Sequence, residues 1–159
     1  MSYCHAQKGL VKDVYANMKK DGQYDIWIDS AKPPKAGQSI LEWMGKGIGQ
    51  SDIVLIFMTA DYQKSKNCQK EAEVARKKQK RTIFVKAQEN YEENEWLSTL
   101  RGEAFYINLT KDFDENMQLL MTTIKQEFED LEGSPDNKPT NRMKHFIPAL
   151  YSLETFSTK

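Results

Sequence analysis

Six consecutive residues, Ile53-Val54-Leu55-Ile56-Phe57-Met58, form the longest unbroken apolar run in the chain. Successive side chains of an extended segment point to opposite faces, so this run offers water neither side. It is far shorter than the roughly 20 residues that a membrane helix needs. A short run with two apolar faces suits the central strand of a parallel sheet covered on both sides by helices. Whatever the rest of the chain does, it has to supply those covers.

The flanking sequence supplies them by alternation. Lys8 to Lys20 places Leu10, Val11, Val14, Tyr15 and Met18 on one helical face, and Asp21-Gly22 ends the pattern. Tyr24 to Ile28 alternates and is rich in strand formers. The stretch 29–38, DSAKPPKAGQ, reads as a loop punctuated by Pro33, Pro34 and Gly37. Ser39 with Glu42 fits a capping box opening a second helix. Beyond the central run, Asn67 to Lys80 reads as a helix, Thr82 to Val85 as a strand and Ala104 to Ile107 as another. The stretch 86–103 reads as an acidic connection holding one helical turn near Trp96 to Leu100, and Asp114 to Leu131 as a long closing helix. Strands alternating with helices imply a parallel sheet between helical layers.

The 159 residues amount to about one domain. Lys plus Arg and Asp plus Glu both number 23, giving zero formal net charge. That balance argues against a chain whose task is coating nucleic acid or an anionic membrane, since such binding draws on a basic surface. The N-terminal MSYCHAQKGL has neither a charged n-region nor an apolar h-region, so no secretory leader is expected. Cys4 and Cys68, with His5 and His145, form no metal-ligand spacing. No metal is expected, and a reducing, cytoplasmic setting is.

Residues 1–131 read as the domain, 132–142 as a polar linker and 143–159 as a C-terminal tail. In the tail Met143, Phe146, Ile147, Leu150 and Leu153 recur near helical spacing, interrupted by Pro148. The spacing predicts a broken helix over Met143–Phe156, packed on its own domain or a neighbouring copy, with Phe146 and Leu150 as anchors. The alternative is a disordered remnant.

Four motifs invite chemistry. Gly45, Gly47 and Gly49 close a helix and precede a strand, the reverse of a dinucleotide fingerprint; close helix–sheet packing explains them better. The basic stretch Arg76 to Arg81 reads as cations at a helix C-terminus, where the macrodipole favours them, and the acidic stretch Glu89 to Glu95 as a solvated loop. Glu71 and Glu73 differ more sharply. At about 100° per residue, Cys68, Ala72 and Ala75 form an inward stripe; Glu71 lies at its edge and Glu73 faces water. Glu71 is therefore expected at the rim of a cleft above the sheet.

Together these residues resemble a TIR domain, the Toll/interleukin-1 receptor and resistance-protein signalling fold. Ser2-Tyr3 is similar to the end of its first strand and Trp27-Ile28-Asp29 to the end of its second. The Pro- and Gly-containing loop to Gly37 resembles its BB loop. Ser51 to Leu55 is similar to the start of its third strand, and Cys68-Gln69-Lys70-Glu71 to the Cys-x-x-Glu opening of its third major helix. The resemblance covers 1–131 and is closer to the invertebrate and bacterial-like group than to vertebrate Toll receptors.

The resemblance implies a flavodoxin-like sheet of five parallel strands in the order 2-1-3-4-5, flanked by helices on both faces. It implies two kinds of function. Some TIR domains are scaffolds acting by homotypic TIR–TIR interaction in innate-immune or cell-death signalling. Others hydrolyse NAD+ to nicotinamide and ADP-ribose, linear or cyclic, with NAD+ as substrate and no cofactor. Glu71 matches the catalytic glutamate of those members. Tyr3, Cys4, His5, Lys32 and Asn67 fall at substrate-binding positions, Asn67 standing where many active members carry Trp. Lys32, Pro33, Pro34, Lys35 and Gly37 fall in the loop used for self-association, which implies a homo-oligomer. Breaking the N-glycosidic bond builds positive charge on the ribose, and a carboxylate of ordinary pKa near ~4.3 can stabilise it. Nicotinamide leaves readily without a strong general acid.

Overall fold

The computed structural model describes residues 8–28, 35–93, 95–133 and 144–147. In chain order the elements are α1 (Lys8–Asp21), β1 (Tyr24–Ile26), α2 (Ile40–Gln50), β2 (Ile53–Met58), α3 (Ala60–Lys64) and α4 (Lys66–Lys77). They continue with β3 (Arg81–Lys86), α5 (Glu95–Arg101), β4 (Tyr106–Asn108), α6 (Phe113–Glu132) and β5 (Lys144–Ile147). The strands form one sheet in the order β1-β5-β2-β3-β4, with every pairing parallel.

All six residues of β2 are buried, and their parity divides the core. Ile53, Leu55 and Phe57 join Ile83 and Val85 of β3 against Val11, Val14 and Met18 of α1 and Met117, Leu120, Ile124 and Phe128 of α6. Val54, Ile56 and Met58 join Phe84 beneath α2, α3, α4 and α5 through Ile48, Tyr62, Cys68, Ala72, Ala75 and Leu97. The expected parallel sheet between two helical layers is the architecture found.

The strand between β1 and β2 departs from the expected order in its origin. That position belongs by resemblance to a first strand ending at Ser2-Tyr3, which lies outside the described residues. It is held by β5, whose Lys144, His145 and Phe146 pair with Tyr24, Asp25 and Ile26, and whose Phe146 and Ile147 pair with Ile53 and Val54. The helix expected over Met143–Phe156 is therefore corrected to a strand over Lys144–Ile147. Spacing in so short an apolar run satisfies either period. Pro148 follows directly and has no N–H to extend a ladder.

Other differences are local. Ser39 caps α2 by position but its side chain makes no cap bond, so the capping box does not form. The five-residue α3 was not expected; Thr59 caps it by accepting from the Tyr62 N–H at 3.0 Å. Two lysines of the basic stretch bond to the backbone of α2. Lys80 Nζ donates to the Gly49 carbonyl (3.0 Å) and Lys78 Nζ to that of Gly45 (3.1 Å). Gly49 lies in the last turn of α2, where carbonyls lack helical partners. Burial lowers the pKa of Lys80.

The glycines of α2 are not equivalent. A Cβ at Gly47 would lie 3.2 Å from the Trp27 ring, whereas one at Gly45 meets nothing within 4 Å. Gly45→Ala is expected to stabilise the protein by about 0.5–1 kcal/mol, the helix-interior cost of glycine. Gly47→Ala gains less or loses, because the indole, itself packed on Trp43 at 4.6 Å between centroids, has to shift. Urea midpoints of the two variants check the ordering; equal midpoints contradict it.

Candidate functional site

In an open parallel sheet, ligands bind outside the carboxyl ends of the strands. Here that edge follows Met58 of β2 and Lys86 of β3, whose register places these two residues side by side. The chain leaving Met58 turns through α3 and returns as α4, so the N-terminal turns of α4 stand beside the same edge.

Several bonds fix these turns. Ser65 Oγ accepts from the Cys68 N–H at 3.3 Å, capping α4. Tyr62, wholly buried, donates its hydroxyl to the Cys68 carbonyl at 3.5 Å. From the other side the Trp96 indole N–H donates to the Gln63 carbonyl (2.8 Å) and the Tyr91 hydroxyl to Gln63 Oε1 (2.8 Å). Gln88 Oε1 accepts from the Ala60 N–H at 3.0 Å. Thus α3 is tied to both α4 and the segment leading into α5.

On α4 the buried residues are Cys68, Glu71, Ala72 and Ala75. Glu71 is only 3% exposed while Glu73 is exposed. The helical angle separates the two as expected but understates the depth of Glu71, which is buried rather than at a rim. Glu73 Oε1 accepts from the Gln69 amide on the outer face at 3.1 Å. A carboxylate is rarely buried this far, because burial of charge is costly.

Asn67 is half-buried one turn before Glu71 on the same helix. Lys35 and Gly37 are exposed and belong to a turn in which the Gln38 N–H reaches the Lys35 carbonyl at 3.0 Å. Gly37 has φ +79°, a conformation costly for other residues. Tyr3, Cys4, His5, Lys32, Pro33 and Pro34 lie outside the described residues. Glu71 and Asn67 are thus placed on one helix, with Lys35 and Gly37 on a separate exposed turn.

The acidic segment is more structured than a solvated loop. Tyr91 is buried, and Glu93 forms an ion pair with Arg101. Burial, then the nearby Glu93 charge, pushes the Tyr91 hydroxyl up to about 12. The bond to Glu93 raises the Arg101 pKa. With Met58, Lys86 and Tyr106 these residues line an open cleft of about 430 Å³ at the carboxyl edge. Nothing local in the sequence distinguishes Glu93 from its exposed neighbour Glu92; Glu93 is half-buried beside Arg101 of α5, and Tyr91 is buried with its hydroxyl on Gln63 of α3. The cleft ends at exposed aromatics: Phe105 is 74% exposed and stacks on Tyr106 at the start of the edge strand β4.

The TIR domain family model matches residues 1–121. Comparison with curated protein sequences gives no match. Among solved structures, the chain is similar to the TIR domain of the Toll-related receptor TRR-2 from the lower metazoan Hydra magnipapillata. The TM-score is 0.63 at 12% identity, over 80% of this chain and 94% of that one. At that identity the likeness speaks to fold. No helix among the described residues is long and apolar enough to cross a membrane.

Proposed function

From the premise that this chain belongs to the TIR-domain family, we propose that it is an NAD+ glycohydrolase with Glu71 as its catalytic carboxylate. TIR domains in general signal through contacts with other TIR domains; the enzymatic reading is the finer one. What carries it is the burial of Glu71, 3% exposed on the inward face of α4. Ala or Leu would fill that position at lower cost, and sequences break local rules of this kind at functional sites.

In the reaction the bond between ribose C1′ and the nicotinamide nitrogen breaks, and its electron pair returns to the pyridinium ring. Glu71, as carboxylate, faces the positive charge that builds on the ribose. Water then adds at C1′ and releases a proton, giving ADP-ribose; attack by a group of the same molecule gives a cyclic product instead. Asn67, one turn away, is assigned to substrate contact, together with Tyr3, Cys4, His5 and Lys32. Self-association is assigned to the loop containing Lys32, Pro33, Pro34, Lys35 and Gly37, in a cytoplasmic innate-immune or cell-death setting.

One observation favours the second reading, a TIR scaffold without chemistry. Exposed Phe105 and Tyr106 beside an edge strand suit a protein contact better than solvent. Purified protein incubated with NAD+ over a concentration series separates the two. Time-dependent release of nicotinamide is the expected result. Intact NAD+ at the highest protein concentration leaves the scaffold.

A further inference from the structure

α2 ends without a cation of its own. No basic residue lies in its last turn, although the carbonyls there lack helical partners and favour positive charge. The charge comes instead from the turn between α4 and β3. Lys80 Nζ reaches the Gly49 carbonyl, and Lys78 Nζ reaches that of Gly45, one helical turn earlier.

The backbone on both sides sets the lysines there. α4 closes with the Lys80 N–H on the Ala75 carbonyl (3.0 Å) and the Gln79 N–H on that of Arg76 (2.9 Å), the two bonds of a Schellman turn. Gln79 holds the left-handed position of that turn, with φ +52°, where glycine is the easier residue. The two lysines flank it. On α2, a Cβ at Gly49 would lie 2.7 Å from Lys78 Nζ, so the amine occupies the room that a larger residue there would take.

Lys78 stands two turns beyond Glu71, about 20° away around the helix at ~100° per residue. The fastening is therefore on the side of α4 that carries Glu71. Ile48 of α2 also shares a buried cluster with Cys68, Ala72 and Ala75 of α4. We propose that Lys78 and Lys80 are positioning residues: by latching the C-terminal part of α2 to the end of α4, they hold α4 at the depth that buries Glu71. Each acts through α2, not on the substrate. The proposal rests on the reading of Glu71 as the catalytic carboxylate.

Cys68, 2% exposed and one turn before Glu71, reports that depth without NAD+. Its labelling by iodoacetamide in native protein is read at Cys68 by mass spectrometry. Labelling is expected to speed up about tenfold in Lys80→Met, the scale of losing one hydrogen bond from a charged donor, and further when Lys78→Met is added. Lys80→Arg keeps the charge and the donors and restores slow labelling. Gly49→Ala displaces the Lys78 amine while leaving both lysines in place, and it also speeds labelling, although alanine favours the helix. Ile124→Val, in the core on the other face of the sheet, controls for general loosening. Labelling of Lys80→Met at the wild-type rate overturns the proposal, as does a rate no faster than that of Ile124→Val brought to equal stability with urea. In the lysine variants kcat for NAD+ is expected to fall while KM holds; an unchanged kcat beside faster labelling overturns the link to Glu71. Wild-type protein that leaves NAD+ intact removes the enzymatic reading instead, and Cys68 labelling then decides the latch by itself.

Discussion

Glu71→Gln is expected to lower NAD+ cleavage by about 10²–10³-fold, the usual scale for removing one group that stabilises transition-state charge. The amide keeps the shape of the side chain and removes the negative charge that would face the ribose. Glu73→Gln, two residues along on the exposed face of α4, should stay close to wild type, because its carboxylate bonds only outward in the structure, to the Gln69 amide. Nicotinamide release by both variants, with melting curves to establish that each is folded, is the measurement. Equal losses in the two would show that the buried carboxylate is not the one at work, and full activity in Glu71→Gln would remove it from the chemistry.

The largest expected loss of stability comes from Phe57→Ala. Phe57 is wholly buried at the centre of the sheet, in the cluster shared with α1 and α6. Truncating such a ring costs about 3–5 kcal/mol, a large part of the roughly 5–15 kcal/mol that holds a domain together. Leu119→Ala, on the outer side of α6 and 40% exposed, should cost no more than about 0.5 kcal/mol. Urea unfolding of both variants gives the comparison. A Phe57 loss as small as that of Leu119 would contradict a two-faced core around β2.

Much of this architecture is legible in the sequence because it rests on periodicity. The apolar run at Ile53 declares a strand covered on both faces, and the stripes over α1 and α6 match their buried residues. What escapes a local reading depends on distant partners. α3 has only five residues, too few for a helical period to show. Tyr91 and Glu93 look like their solvated neighbours until Gln63 of α3 and Arg101 of α5 bond to them. The tail reads as a broken helix, and pairing across the sheet makes Lys144–Ile147 a strand instead. For the candidate site, the angle between Glu71 and Glu73 is legible, whereas the depth of Glu71 depends on how closely α4 approaches the sheet.

The placement of β5 also bears on how the protein is made. Tyr24 pairs with Lys144, so among the described residues β1 gains its strand neighbour only after Lys144 has been synthesised. At about 5–20 residues per second, the interval between completing β2 and completing β5 is roughly 5–20 seconds. Throughout it the β1–β5 and β2–β5 pairings of the described strands are still unmade. Pairing between such distant residues is intrinsically slow. The pairings that join β1 to the rest of the described sheet are thus the ones of greatest sequence separation.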